Sequence, residues 1–270
     1  MTDHLRRSLA PISDAAWSAI DDEARRTLRH VLAGRALVDV DGPHGWEHSS
    51  HDIGRISNVG PGPGDGVHAA LRRVLPIVEL RTPFEVSLAE LDTIDRGNQS
   101  PDLDAVVDAA NRAGLAEDRA IFHGYAPGEI NGIAATSAHG AVALSDDYSR
   151  YPTLVARAVA SMRGAGIGGP YGIALGPRCY TGVVETTERG GYPLLEHLRL
   201  IAGGPVVWAP GVDGAVVLSV RGGDFTLVLG EDFSIGYAGH DGDRVSLYLE
   251  ESFTFEVREQ RAAVALTYSG

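Results

Sequence analysis

The chain is poor in most of what marks a familiar chemistry. Its single cysteine, Cys179, excludes an internal disulfide and a four-cysteine zinc site. Apolar residues never run on for the ~18 positions that a membrane-spanning helix needs. The opening stretch MTDHLRRSLAPIS lacks the apolar core of a secretory leader, so a cytoplasmic, reducing setting is expected. Basic side chains are short, 23 against 36 acidic ones, for a formal charge of −13. That balance argues against nucleic acid or an anionic membrane as partner, because both need a basic face. No P-loop and no G-x-S-x-G nucleophile elbow occurs.

The 270 residues are otherwise ordinary for a folded protein, 44% hydrophobic and 22% charged. Glycine is the excess, at 34 residues, nearly twice the usual share of about 7%. Apolar spacing of three and four predicts a helix over 14–33, with Ser13 as N-cap and Gly34 as terminator. The run RALVDV at 35–40 reads as a short strand. Residues 42–67 are rich in Gly, Pro, Ser and His, and GPGPGDG at 60–66 reads as a loop tip. The flanks, 53–59 and 75–88, read as two arms of an extended ribbon. Further helices are predicted over 101–122, with Ser100 as cap and Pro101 in the first turn, over 152–163, and from 193 onward. Strands are expected at 206–208, 215–220, 225–229, 245–255 and 262–268. The mixed order, without repeating βαβ units, predicts an α+β fold.

Candidate chemical motifs fall away on context. Residues 164–169 satisfy G-x-G-x-x-G, but a helix precedes them and a strand-like segment follows, the reverse of a dinucleotide site. His44, His48 and His51, with Glu47 and Asp52 nearby, read as loop histidines rather than metal ligands. Asp92, Asp95 and Arg96 read as a solvated helical turn, and Asp146-Asp147 as a turn. Cys179 reads as a small buried residue, since no neighbour in sequence marks it as a nucleophile. No catalytic or metal-binding set emerges.

Longer strings carry more. LAPISDAAWSAIDDEA (9–24), LAGRALVDVDGPHGWE (32–47), LDTIDRG (91–97), AIFHG (120–124), GGYPLLEHL (190–198), RGGDFTLVLGEDFSIGY (221–237) and ESFTFEV (251–257) resemble encapsulin shell proteins. The resemblance runs in order from about residue 4 to 268. It implies the capsid fold of tailed phages (HK97-type), with an N-terminal helix and the start of a P-domain at 1–46 and an E-loop at 47–78. The P-domain with its spine helix would follow at 79–130, an A-domain at 131–222, and a return to the P-domain at 223–270. It further implies a structural, non-enzymatic subunit of an icosahedral cage of about sixty copies (T=1) that encloses a cargo enzyme. The cargo, a dye-decolorising peroxidase or a ferritin-like protein, would carry a C-terminal targeting peptide.

Residue by residue, the resemblance places that peptide in a groove formed by Leu28, Leu32, Arg35, Asp39 and Ile235. It places a fivefold pore loop at Glu185, Thr186, Thr187, Glu188, Arg189, Gly190, Gly191 and Tyr192, where a ring of Glu188 carboxylates would favour cations. Some members stack a flavin on the tryptophan of an LWELD string. Here the string is LAELD, with Ala89 in that position, so no cofactor is expected. Two other readings stay open: a phage major capsid protein of the same fold, which the helix at 14–33 disfavours, and a hydrolase or bacteriocin, for which no triad or lytic segment is present.

Overall fold

Two sheets and a two-stranded ribbon organise the chain, whose computed structural model describes residues 4–188 and 191–268. Helix α1 (Asp14–Val31) starts where predicted. The Ser13 hydroxyl accepts the Ala16 N–H at 3.1 Å, and Trp17, Ile20, Ala24 and Leu28 form its buried stripe. Burying each large side chain in that stripe contributes roughly 1.5–3 kcal/mol. After α1 the chain departs from expectation. Residues 34–36 form a 3-10 turn, and strand β1 is only Asp39–Asp41.

Strands β2 (Ser50–Pro61) and β3 (His68–Pro76) pair antiparallel as the ribbon, from Ser50 opposite Pro76 to Pro61 opposite His68. The second arm is therefore 68–76, not 75–88. Strand β4 (Val78–Ser87) belongs instead to the first sheet, along β10. Two register shifts bend the ribbon, with Gly54 and Gly60 at positive φ beside them. The ribbon exposes large aliphatics on both faces. Ile56 is 71% exposed and Leu71 is 57% exposed, and the register sets them on opposite sides.

Helix α2 (Leu88–Asp95) carries the Asp92–Asp95 turn. Helix α3 (Asp104–His123) is the long central spine. It starts later than predicted: Ser100 is not its cap, and Asp102 instead accepts the Asp104 N–H at 3.1 Å. Its first half packs Val106, Ala109 and Ala110 with α1, whereas Ile121 and Phe122 enter the core of the second sheet. Gly114 lies at the α1–α3 crossing, where a Cβ would stand 2.5 Å from Val31 Cγ2. Glycine there costs the helix about 1 kcal/mol in propensity, and the close approach explains its presence.

The second unit follows: α4 (Ile133–Thr136), β5 (Val142–Leu144), α5 (Tyr151–Gly164), β6 (Tyr171–Leu175), α6 (Pro177–Glu185), α7 (Leu194–Ala202), β7 (Gly203–Trp208) and β8 (Ala215–Ser219). The chain then returns through β9 (Phe225–Asp241) and β10 (Arg244–Val257), and ends in β11 (Ala263–Tyr268). The four-stranded sheet runs β1-β9-β10-β4, and the five-stranded sheet runs β5-β11-β8-β6-β7. The closing strands thus divide: β9 and β10 lie in the first sheet, but β11 pairs with β5 and β8 in the second. Residues 164–169 connect α5 to β6, a helix-to-strand turn. Cys179 is fully buried in α6, against the hydroxyls of Tyr151 and Tyr268.

Candidate functional site

An open groove of about 600 Å³ lies between α1 and the first sheet. The Leu32 N–H donates to the Leu28 carbonyl at the end of α1, so the two side chains follow one another along the groove, and strand pairing sets Ile235 of β9 beside Leu249 of β10. Phe233 lies between the apolar floor and a charged end. The other wall is the N-terminal segment, where Arg7 makes a two-pronged ion pair with Asp21 at 3.1 and 2.7 Å and lies 4.0 Å from the Trp17 ring centre.

Four of the five expected groove residues, Leu28, Leu32, Arg35 and Ile235, converge here. Asp39 does not. Its carboxylate accepts the Gly223 N–H at 2.6 Å and lines a separate, smaller cleft. The chain has left α1 by then, and Asp39 opens β1, which runs alongside β9 at Thr226.

Arg35 has other partners. Its guanidinium reaches Glu117 at 2.6 Å, Glu251 at 2.6 Å and Asp232 at 2.8 Å, and stacks 5.1 Å from Phe233. Glu117 and Glu251 are almost wholly buried, whereas Asp232 is half exposed on the groove side. Burial alone would lower the Arg35 pKa. The surrounding carboxylates outweigh it and hold the guanidinium charged. Burial, with the Glu117 charge adding to it, pushes the Glu251 carboxyl well above its ordinary value. The groove thus ends on one fixed positive charge anchored in a buried acidic cluster. Sequence reasoning missed Glu117 and Glu251, since topology rather than spacing brings them to Arg35.

Beside this cluster, Asp118 accepts the backbone N–H groups of Gly34 at 2.8 Å and Ala33 at 3.1 Å, tying the end of α1 to α3. Burial pushes its carboxyl up to about 7 from a model-compound value of 3.8, with the Glu117 charge adding, while the two N–H donors and Arg35 pull it down. Between those two values the folded chain holds a proton that the unfolded chain has released. This group's contribution to stability therefore falls as pH rises from about 4 to about 7, by at most about 1.4 kcal/mol per pH unit. Purified protein scanned by calorimetry is expected to melt higher at pH ~6 than at pH ~8. Asp118→Asn should flatten that part of the profile, whatever it does to the overall melting temperature. An unchanged slope in the variant would assign the pH dependence to other groups.

The expected pore loop projects between α6 and α7. Glu185 ends α6, and the Thr186 hydroxyl donates to the Gly182 carbonyl at 2.6 Å. Thr187 bridges Pro193, and the Glu188 N–H donates to the Tyr192 carbonyl at 2.9 Å. Gly191 takes a positive φ of 80° at the turn, where its N–H donates to the Glu188 carbonyl at 2.9 Å, and Tyr192 is exposed. Arg189 and Gly190 lie outside the described residues. The Glu188 carboxylate is tethered 2.7 Å from His197 Nδ1 of α7, a partner the sequence reading did not identify. Ala89 lies exposed on α2 and offers a ring system only a methyl group. The loop histidines do not form one site: the His44 ring lies tilted against His48, but His51 sits in β2 against Glu256 at 3.3 Å.

A two-sheet α+β tile with a long central helix and a projecting ribbon has the architecture of capsid subunits. Two solved structures share it. A virus-like particle from Pyrococcus furiosus matches with a TM-score of 0.64 at 18% identity, covering 93% of this chain and 97% of that one. The Gordonia phage Cozz matches at 0.56 and 13% identity, covering 89% and 87%. The class is thus an HK97-like capsid fold. Residues 1–254 match the family model Linocin_M18, described as an encapsulating protein for peroxidase. A type 1 encapsulin shell protein from Rhodospirillum rubrum is 48% identical over 267 residues, 97% of this chain and 95% of its own. The chain belongs to the encapsulin family, whose members build capsid-like shells from many copies of one subunit.

Proposed function

We infer that this chain closes into a cytoplasmic icosahedral shell of about sixty copies (T=1) around a cargo enzyme, a peroxidase of the dye-decolorising type or a ferritin-like protein. The subunit itself is structural and performs no catalysis. The cargo's C-terminal targeting peptide lies extended in the groove beneath α1. The observation that carries this reading is the groove itself. Leu28, Leu32, Ile235 and Leu249 form an apolar floor, and the charged side chains of Arg7, Asp21, Arg25, Arg29, Arg35 and Asp232 line the groove around it, a combination that suits an extended peptide with both apolar and charged side chains. The family description, which names a peroxidase as what is enclosed, supports the cargo class. No helix among the described residues is long and apolar enough to cross a membrane. The loop at 185–192 lines a fivefold pore, where Glu185 and Glu188 draw cations inward. Ala89 leaves the shell without a flavin stack.

The test is twofold. Purified chain should elute as a particle and show closed shells by negative-stain microscopy. Co-expression with a reporter fused to the native cargo's last residues should yield filled shells. A free subunit at neutral pH would sink the shell size, and an empty shell would sink the peptide reading.

Assembly should depend on the ribbon. A two-stranded ribbon with exposed aliphatics on both faces has no core of its own to cover them. It is buried between neighbouring copies in the shell. Ile56→Asp combined with Leu71→Asp should therefore shift the elution profile from particle to small species. Circular dichroism should stay unchanged, because both side chains point to solvent within the subunit. Intact particles from the double variant would place the subunit contacts elsewhere.

A further inference from the structure

The N-terminal segment meets strands β9 and β10 of the first sheet at three buried polar atoms that lack hydrogen-bond partners. His4 Nε2, Glu231 Oε2 of β9 and Glu250 Oε1 of β10 are all inaccessible to water and unsatisfied. They lie within 4.8 Å of one another. His4 Nε2 is 2.8 Å from Glu231 Oε2 and 3.9 Å from Glu250 Oε1, charge-pair distances without hydrogen-bond geometry. Glu250 is 99% buried, and only its other oxygen is engaged, by Arg81. An orphaned carboxylate oxygen at such depth costs several kcal/mol unless something positive faces it.

From this geometry we propose that His4, Glu231 and Glu250 form a binding site for one divalent transition-metal ion, of the Zn²⁺ or Co²⁺ kind. One imidazole nitrogen and two carboxylate oxygens are a borderline-to-hard donor set that suits such ions. Metal–ligand bonds of about 2.0–2.2 Å put tetrahedral ligand atoms about 3.3 Å apart, inside the spread found here. The surroundings are those of a built site. Trp46 stacks on the His4 ring at 4.8 Å between centres and 14° between planes, which fixes the imidazole's orientation. Arg81 holds the second oxygen of Glu250, so the first is free to face the ion. A cleft lined by Arg6, Trp46, Tyr237 and Tyr248 opens beside His4, giving an entry path and room for a fourth ligand from water. The Tyr237 N–H donates to the Leu5 carbonyl at 2.8 Å, so the histidine is held on the sheet by backbone as well. The ion would clip the N-terminal segment to β9 and β10. The three ligands come from the two ends of the chain, and their spacing gives no sign of a site.

Untagged shells, stripped with a chelator and dialysed at neutral pH, are titrated with Co²⁺ and separately with Zn²⁺. The expected result is one ion retained per chain by elemental analysis, and visible d–d absorption of four-coordinate Co²⁺. Zn²⁺ should also raise the melting temperature of the stripped shells. His4→Ala and Glu231→Gln should each weaken binding by more than about tenfold, the least that loss of even an outer partner costs, and should abolish the Zn²⁺-induced rise. Both positions are only partly buried, so the variants should still form particles by size exclusion. If the parent binds no more ion than His4→Ala, the cluster is a His4–Glu231 ion pair only. Equal binding by all three proteins would place the ion elsewhere. Either result overturns the site.

Discussion

Shells carrying Leu32→Asp are expected to assemble normally and to be empty. Leu32 stands just past the last turn of α1, half-buried, with its side chain on the groove and against α3. In the empty shell an aspartate at that position faces the open trough and stays hydrated. Once a peptide covers it, the carboxylate loses its water and gains no partner from the apolar floor. That penalty is several kcal/mol per ion, and each 1.4 kcal/mol is about tenfold in affinity. Loading of a reporter bearing the native cargo's C-terminal peptide should therefore fall at least about a hundredfold. Leu32→Met, similar in volume and apolar, should load within a few-fold of the parent. The readout is the ratio of reporter to shell in purified particles. Loading of Leu32→Asp at the parental level would move the peptide to another surface.

Arg35→Ala should produce the largest loss of stability of any single substitution at the site. It removes the one cation facing Glu117 and Glu251, which are 0% and 1% exposed. Taking one partner from a buried ion pair typically costs about 3–5 kcal/mol, because the remaining charge has no solvent. Guanidinium titration followed by tryptophan fluorescence should show a markedly lower midpoint. The triple variant Arg35→Met, Glu117→Gln, Glu251→Gln should recover much of the loss, since it removes the buried charges together with their counterion. If Arg35→Ala alone unfolds within about 1 kcal/mol of the parent, both carboxyls are protonated in the fold and Arg35 serves the groove rather than the core. Comparing cargo loading at temperatures where all variants are folded separates the two roles.

The parts of the molecule with local causes were legible in the sequence. Helix α1 announced itself by its cap and its three-and-four spacing, and α5 by its spacing alone. The capsid-type fold came through resemblance over long strings, not through periodicity. Elsewhere local signals misled. Strand β9 runs for 17 residues, whereas the strand expected from the sequence stops at 229, just before Gly230. Only the β10 neighbour keeps it extended, across irregular register near Ser252. Helix α6 was overlooked because Pro177 and Gly182 look like breakers. Pro177 occupies the first turn, where proline is tolerated. At Gly182 a Cβ would collide with the Tyr148 ring, so packing selected the glycine. At the groove, the apolar members were found from α1 and the SIGY string. Arg35 came with them, but its carboxylate partners did not, since it finds Glu117, Asp232 and Glu251 only after α3, β9 and β10 have come together.

The ribbon has one more consequence, for when shells form. Strands β2 and β3 pair only with each other, and an isolated pair of strands is marginal in water. In a lone subunit their order is held by little besides their own ladder. Docking on a neighbour stabilises that order and builds the contact in the same step. Association of this kind starts reluctantly and then runs to completion, because the first contacts bear the ordering cost and each later subunit meets a surface already set. Shell formation should show a threshold concentration and a lag. Disassembly should lag in its turn, so that a closed shell outlasts the conditions that formed it.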